Sequence, residues 1–182
     1  MRAFLIGVLA LVSSGAGIAA FAANSPRDLN ANLTGYQEVP TLLSSGTATL
    51  KARISHDESS VDWVLSYDAL EAPVTQAHIH LAAPAINGPI VVFFCTNLGN
   101  GPAGTQACPD PPARISGTFT AADVLAAGAI GLEAGNLAEL IRAIRAGATY
   151  ANVHSTLRPG GEVRGLIRVQ EPRPHDSGPP HK

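Results

Sequence analysis

A hydrophobic period of two is the feature that most limits what this chain can fold into. In "TATLKARI", Ala48, Leu50, Ala52 and Ile54 fall on one face and Thr47, Thr49, Lys51 and Arg53 on the other. In "SVDWVLSYDAL", Val61, Trp63, Leu65 and Tyr67 align against Asp62, Ser66 and Asp68. Successive side chains of a strand point to opposite sides, so both segments are expected to be half-buried strands. The polar "SHDESS" between them is short enough for a hairpin turn. "VTQAHIHLA" is a third strand candidate, with Ala77, Ile79 and Leu81 on one face and Gln76, His78 and His80 on the other. "PIVVFFC" follows a loop that contains Asn87-Gly88. It is apolar on both faces, which predicts a central strand. "ARISGTFTA" alternates again through Ile115, Gly117 and Phe119.

The period then changes. In "TAADVLAAG", Thr120 offers an N-cap for a short helix with an aspartate in its first turn. "NLAELIRAIRAG" is a clearer helix. Asn136 caps it, Leu137, Leu140, Ile141 and Ile144 share one face at i, i+3, i+4 and i+7, and Gly147 ends it. "ATYANVHST" and "EVRGLIRVQ" return to strand patterns. "RPGGE" joins them, and Pro-Gly-Gly signals the turn of an antiparallel hairpin. Seven or so short strands predict a mainly β fold. The expected architecture is an antiparallel Greek-key-like sandwich or barrel with a short helical insertion before the last hairpin. No internal repeat and no second domain are evident.

The first residues, "MRAFLIGVLALVSSGAGIAAFAANSPRD", carry Arg2, an apolar run from Ala3 to Val12, and the small pair Ala20 and Ala22. This pattern predicts a signal peptide over residues 1–22, with an exported chain, periplasmic or extracellular, that folds from about residue 23 to 170. Ser13-Ser14-Gly15 interrupts the apolar run and argues against an uncleaved anchor. No later stretch is long and apolar enough to span a membrane. The tail "QEPRPHDSGPPHK" is dense in proline and polar groups, which predicts a disordered segment over 171–182. The formal net charge is -2, with no basic patch. That excludes a nucleic-acid partner and leaves an extracytoplasmic protein or a small ligand.

Cys95 and Cys108 are the only cysteines. In an exported chain they are expected to form a disulfide, since such bonds persist in oxidising compartments. It would close "TNLGNGPAGTQA", a loop rich in glycine and asparagine with nothing else in its sequence to order it. No CxxC spacing points to a metal ligand pair.

The chemistry rests on histidines. Residues i and i+2 of a strand point the same way, with Cα atoms roughly 6.5–7 Å apart. His78 and His80 therefore form a competent half-site for copper or zinc, for which neutral imidazole is a good donor. His154 lies in "YANVHST", on the face that carries Tyr150 and Asn152. If that strand meets the "AHIHL" strand, three imidazoles converge on a site with an open position. The alternative needs no cofactor. His78 and His80 would then hydrogen-bond to backbone carbonyls or to a polar cluster of Glu38, Glu162 and Arg164, and so hold the strand register. No catalytic residue is apparent: the chain has no Gly-x-Ser-x-Gly elbow, and "LGNGPAG" lacks the Lys-Ser/Thr ending of a phosphate loop.

Three segments, in order, resemble the CHRD domain, a module named from chordin and widespread in exported bacterial proteins. They are "LTGYQEVP", "AHIHLAAPAINGPIVVFF" and "YANVHSTLRPGGEVRGLI", together spanning roughly residues 30–169. The last, with its N-V-H, Pro-Gly-Gly and Glu-hydrophobic-Arg-Gly, is the most specific. Thr41 stands where a second proline is usual, and Leu81-Ala82-Ala83-Pro84 where Gly-Pro usually follows His-Ile-His. The resemblance implies a fold, export and domain boundaries, and a non-catalytic binding or envelope-associated module. A fainter similarity links the order of His78, His80 and His154 to the copper histidines of copper/zinc superoxide dismutase, a Greek-key barrel. No histidine lies between His80 and His154, so the zinc half of that enzyme's site is absent and dismutase activity is not implied.

Overall fold

Nine strands form one antiparallel sheet in the computed structural model, which describes residues 27–170. They are β1 (Asp28–Thr34), β2 (Thr47–Ile54), β3 (Ser60–Asp68), β4 (Val74–Leu81), β5 (Ile90–Thr96), β6 (Ala113–Thr120), β7 (Thr149–Ser155), β8 (Val163–Leu166) and β9 (Arg168–Val169). The signal peptide expected over 1–22 and the tail expected over 171–182 lie outside the described residues. The strand order is β5-β4-β7-β8-β1-β2-β3-β6, with β9 paired to β1. The sheet curls into a nearly closed barrel. The mainly β expectation holds, and β2 and β3 form the expected hairpin in the register Leu50↔Leu65.

The inner face follows the period of two. Leu50, Leu65, Ile79, Phe94, Val153 and Val163 are all buried in one core. Trp63 closes the middle of the barrel because its cross-strand neighbour is Gly117. A Cβ at Gly117 would sit 2.8 Å from the indole, so only glycine leaves room for the ring.

One helix, α1 (Leu137–Arg145), lies between β6 and β7. The Asn136 side chain accepts a hydrogen bond from the Glu139 N–H, the expected cap. Leu137, Leu140, Ile141 and Ile144 are its buried face. Arg145, in the last turn, pairs with Glu58 in the β2–β3 turn at 2.7 Å, a cation placed where the helix dipole favours it. The segment after Thr120 is shorter than a helix: a 3-10 turn, Ala121–Asp123, closed by a capping box between Thr120 and Asp123.

Three expectations need correction. "PIVVFFC" is not a central strand, since β5 ends the strand order. Its free edge is covered by loops instead. The Gln106 side chain donates to Phe94 O on β5 and to Ser116 O on β6, and the Leu125 N–H donates to Val91 O. These bonds close the seam between β5 and β6, which is why an apolar strand tolerates an edge position. The strand count also exceeds the expected seven. "DLNANLT" forms β1, and "EVRGLIRVQ" forms two strands, β8 and β9, with Ile167 between them.

The third correction concerns the loop between the cysteines. Cys95 and Cys108 are joined as a disulfide, but the loop it closes has other order. The Asn97 amide donates to Val74 O and Cys108 O, and its Oδ1 accepts from the Cys108 N–H. Opening the bridge by Cys95→Ala/Cys108→Ala is expected to cost about 3 kcal/mol through loop entropy. Asn97 should keep the segment in place. Urea unfolding of both proteins checks this, and a cost under about 1 kcal/mol would show that the bridge is dispensable.

Candidate metal centre

The sheet is buried on both faces where β4, β7 and β8 run together. Every residue of β7 is buried. One face is the barrel core. The other carries the polar residues of the period-two pattern, in the cross-strand pairs His78↔Asn152, His80↔Tyr150, Gln76↔His154 and Asn152↔Arg164. This antiparallel pairing of β4 with β7 brings His154 to the His-x-His pair. The ring centroids of His78 and His154 lie 4.5 Å apart and those of His78 and His80 4.6 Å. One ring nitrogen from each of the three lies within 4.8 Å of the others.

Loops cover this face. The loop after β4 turns through Gly88, whose carbonyl accepts from His80 Nδ1 at 2.8 Å. The turn after β7 places Pro159 O against His154 Nδ1 at 2.9 Å. A carbonyl oxygen can only accept, so both Nδ1 atoms hold the proton. In each neutral ring Nε2 is then left with a free lone pair. Neither Nε2, nor either nitrogen of His78, has a hydrogen-bond partner among the described residues. The rings stay neutral. Burial drives His78 down to about 2, helped by His154 and His80. Burial also drives His80 down to about 4, against the pull of the Gly88 carbonyl, and lowers His154.

The acidic and basic residues sit beside the histidines but bond elsewhere. Glu162 Oε1 accepts from Ser44 Oγ at 2.8 Å and from the Glu71 N–H at 2.7 Å. Arg164 is 1% exposed. It donates from Nη1 to Asn87 Oδ1 at 3.0 Å and from Nη2 to Ile86 O at 2.8 Å, and its guanidinium lies 3.5 Å over the Tyr150 ring. Tyr150 is stacked in turn on His80, with centroids 4.6 Å apart. Glu38 is buried, and burial raises it to about 7 although Arg164 and Asn152 pull it back. None of Glu38, Glu162 and Arg164 hydrogen-bonds a histidine among the described residues. Carbonyls of two loops do so instead.

The Pro-Gly-Gly turn has a steric role here. Gly161 has φ +124, and a Cβ there would meet Glu38 Oε1 at 2.7 Å and the Asn152 amide at 2.8 Å. Only glycine lets the turn close over these groups.

The family model described as the CHRD domain matches residues 29–167. The chain belongs to the CHRD family. CHRD domains occur in extracellular and secreted proteins. No curated protein and no solved structure matches the chain. The matched residues run from β1 into the break before β9, so the CHRD domain is the barrel itself. No helix among the described residues is long and apolar enough to cross a membrane.

In this CHRD domain the three segments that carried the resemblance meet on the polar face. The first supplies Glu38, the second His78, His80 and the Gly88 loop, the third Tyr150, Asn152, His154, Gly161 and Arg164. Reading the sequence did not foresee the parts played by Gly88, Pro159 and Asn87. The Asn-Gly pair signals a loop, but nothing in the side chains marks which carbonyl will face a histidine.

Proposed function

We propose that this CHRD domain is an exported, non-catalytic module that binds one transition-metal ion, copper or zinc, through His78, His80 and His154. The observation that carries this reading is the set of buried, unpartnered ring nitrogens within 4.8 Å of one another. A buried polar atom without a partner costs about 1–3 kcal/mol, and the three histidines share that cost at one point. Two of the rings are already held as metal-ligating histidines usually are, with the far N–H donated to a carbonyl that fixes tautomer and orientation. Ligands on one ion with bonds of about 2.1 Å stand at most about 4.2 Å apart. Occupancy therefore asks for small ring rotations, and the strands need not move. Export is supported by the family's occurrence in extracellular proteins and by the Cys95–Cys108 disulfide.

The test is metal titration of the full chain with His56→Ser, His175→Ser and His181→Ser, so that no imidazole outside the group competes. One equivalent of Cu(II) or Zn(II) is expected to bind, and adding His78→Ala and His154→Ala should weaken binding by at least about 100-fold, as expected when first-sphere ligands are lost. Equal weak binding by both proteins would overturn the reading. The polar face would then be a purely structural layer that ties three loops to the sheet.

A further inference from the structure

The charge and the number of donors in the three-histidine group discriminate between the two metals. This inference rests on the metal-binding reading above. Imidazole serves copper and zinc alike, so the donor type does not choose. The donors bring no charge. Among the described residues no carboxylate or thiolate joins the group within 4.8 Å. Glu162 is turned to Ser44 and Glu71, and Glu38 lies against Arg164 and Asn152.

The nearby charge that acts on the site is positive. Arg164 is buried, and its guanidinium lies on the Tyr150 ring that stacks on His80, so a further cation there meets its repulsion. The other neighbours are neutral: Phe93 stands edge-on to His78 at 5.3 Å, Tyr150 stacks on His80, and Asn152 pairs with His78 across the strands. The cost of burying an ion in such a medium grows as the square of its charge, and repulsion from Arg164 grows in proportion to it. Both effects weigh more on a dication. Zinc also takes four ligands, and the fourth would have to be brought from solvent. Copper(I) is monovalent and is stable with three neutral donors.

We propose that the site formed by His78, His80 and His154 selects copper(I) over zinc(II), because it offers three neutral donors, no anionic ligand and a buried guanidinium beside them.

The test measures both affinities on the full chain with His56→Ser, His175→Ser and His181→Ser. Cu(I) is titrated anaerobically against bicinchoninate, and Zn(II) against a chromophoric chelator. Cu(I) is expected to bind at least about 100-fold more tightly, and X-ray absorption should show three-coordinate Cu(I) with nitrogen ligands. A second variant keeps the three donors and alters the charge. Phe93 is only half-buried and pairs with His78 across the strands, so Phe93→Glu supplies the missing carboxylate beside the group. It should tighten Zn(II) by about tenfold more than Cu(I), the scale of one added charge a few ångströms away at a partly screened site. Zinc binding as tight as Cu(I) in the parent chain overturns the selectivity, and a gap that Phe93→Glu leaves unchanged overturns its electrostatic cause, while either result leaves the metal site standing. Failure of both ions to bind removes the metal-binding reading itself.

Discussion

Replacing Arg164 with methionine is expected to lower the unfolding free energy by about 3–5 kcal/mol, the range for removing one partner from a buried charged network. Methionine fills much of the stem volume, so the loss is one of charge and donors and only secondarily of packing. Ile86 O and Asn87 Oδ1 would each lose their hydrogen bond from the guanidinium. Glu38 would lose the cation that holds its carboxyl down, and should titrate above its present value of about 7. The cation resting on Tyr150 would also go. The loop after β4 is also fastened by side chains at three more points: the Asn87 amide donates to Val39 O, the Gly88 N–H to Tyr150 Oη, and His80 Nδ1 to Gly88 O. It should therefore loosen without detaching. Urea unfolding at neutral pH measures the cost, and hydrogen exchange at Gly88 reports the loop. Arg164→Lys should recover part of the loss, since it restores charge without the planar two-point grip. A cost below about 1 kcal/mol for Arg164→Met would mean that the network does not stabilise the fold.

Metal-free protein should lose stability steeply as the pH falls from about 6.5 to 5. The sign follows from where each group holds its protons. His78, His80 and His154 all have folded values below the ordinary 6.5. The unfolded chain takes up their protons first, so their contribution is full above 6.5 and is lost as the pH drops below it. Glu38 acts in the opposite sense. Its folded value of about 7 lies above the ordinary 4.5, so it favours the folded state below 4.5 and loses that advantage as the pH rises to 7. His78 and His80 against Glu38 leave a net of about one proton, worth roughly 1.4 kcal/mol per pH unit, and His154 adds to it in the same sense. The expected slope is thus at least about 1.4 kcal/mol per pH unit near pH 5.5. Denaturant unfolding from pH 5 to 7.5, in chelator, tests it. Glu38→Gln should steepen the profile and His154→Gln should flatten it. A flat profile in the parent chain would mean that these rings are hydrated and not buried.

The barrel was largely legible because its rule is local. Strands β2, β3 and β6 alternate cleanly, since one face meets the core and the other meets water. The cap at Asn136 and the apolar stripe of α1 follow from neighbours within two turns. β1 alternates too, through Leu29, Ala31 and Leu33, but the intervening Asn30 and Asn32 favour turns and weaken the strand signal. β5 is apolar on both faces, which points to a central strand, yet it ends the strand order. Gln106 and Leu125 cover its edge instead, and a loop that satisfies backbone groups through one side chain leaves no periodic trace.

The polar face divides in the same way. The sequence by itself determined that His78 and His80 share a side of one strand and that His154 shares a side with Tyr150 and Asn152. It also determined that a turn lies before Arg164, and that the two cysteines are close enough along the chain to pair. These are consequences of a two-residue repeat and of turn chemistry, which each segment carries alone. Only the tertiary structure decided that β7 lies beside β4, that the three rings converge, and that Glu162 and Arg164 turn to the loops and Glu38 to Arg164 and Asn152, which leaves the histidines to carbonyls. Strand pairing across a long intervening segment depends on the whole core, and every residue bears a carbonyl, so no residue type announces which one will face an imidazole. The free nitrogens on which the metal-binding proposal rests are a product of that placement.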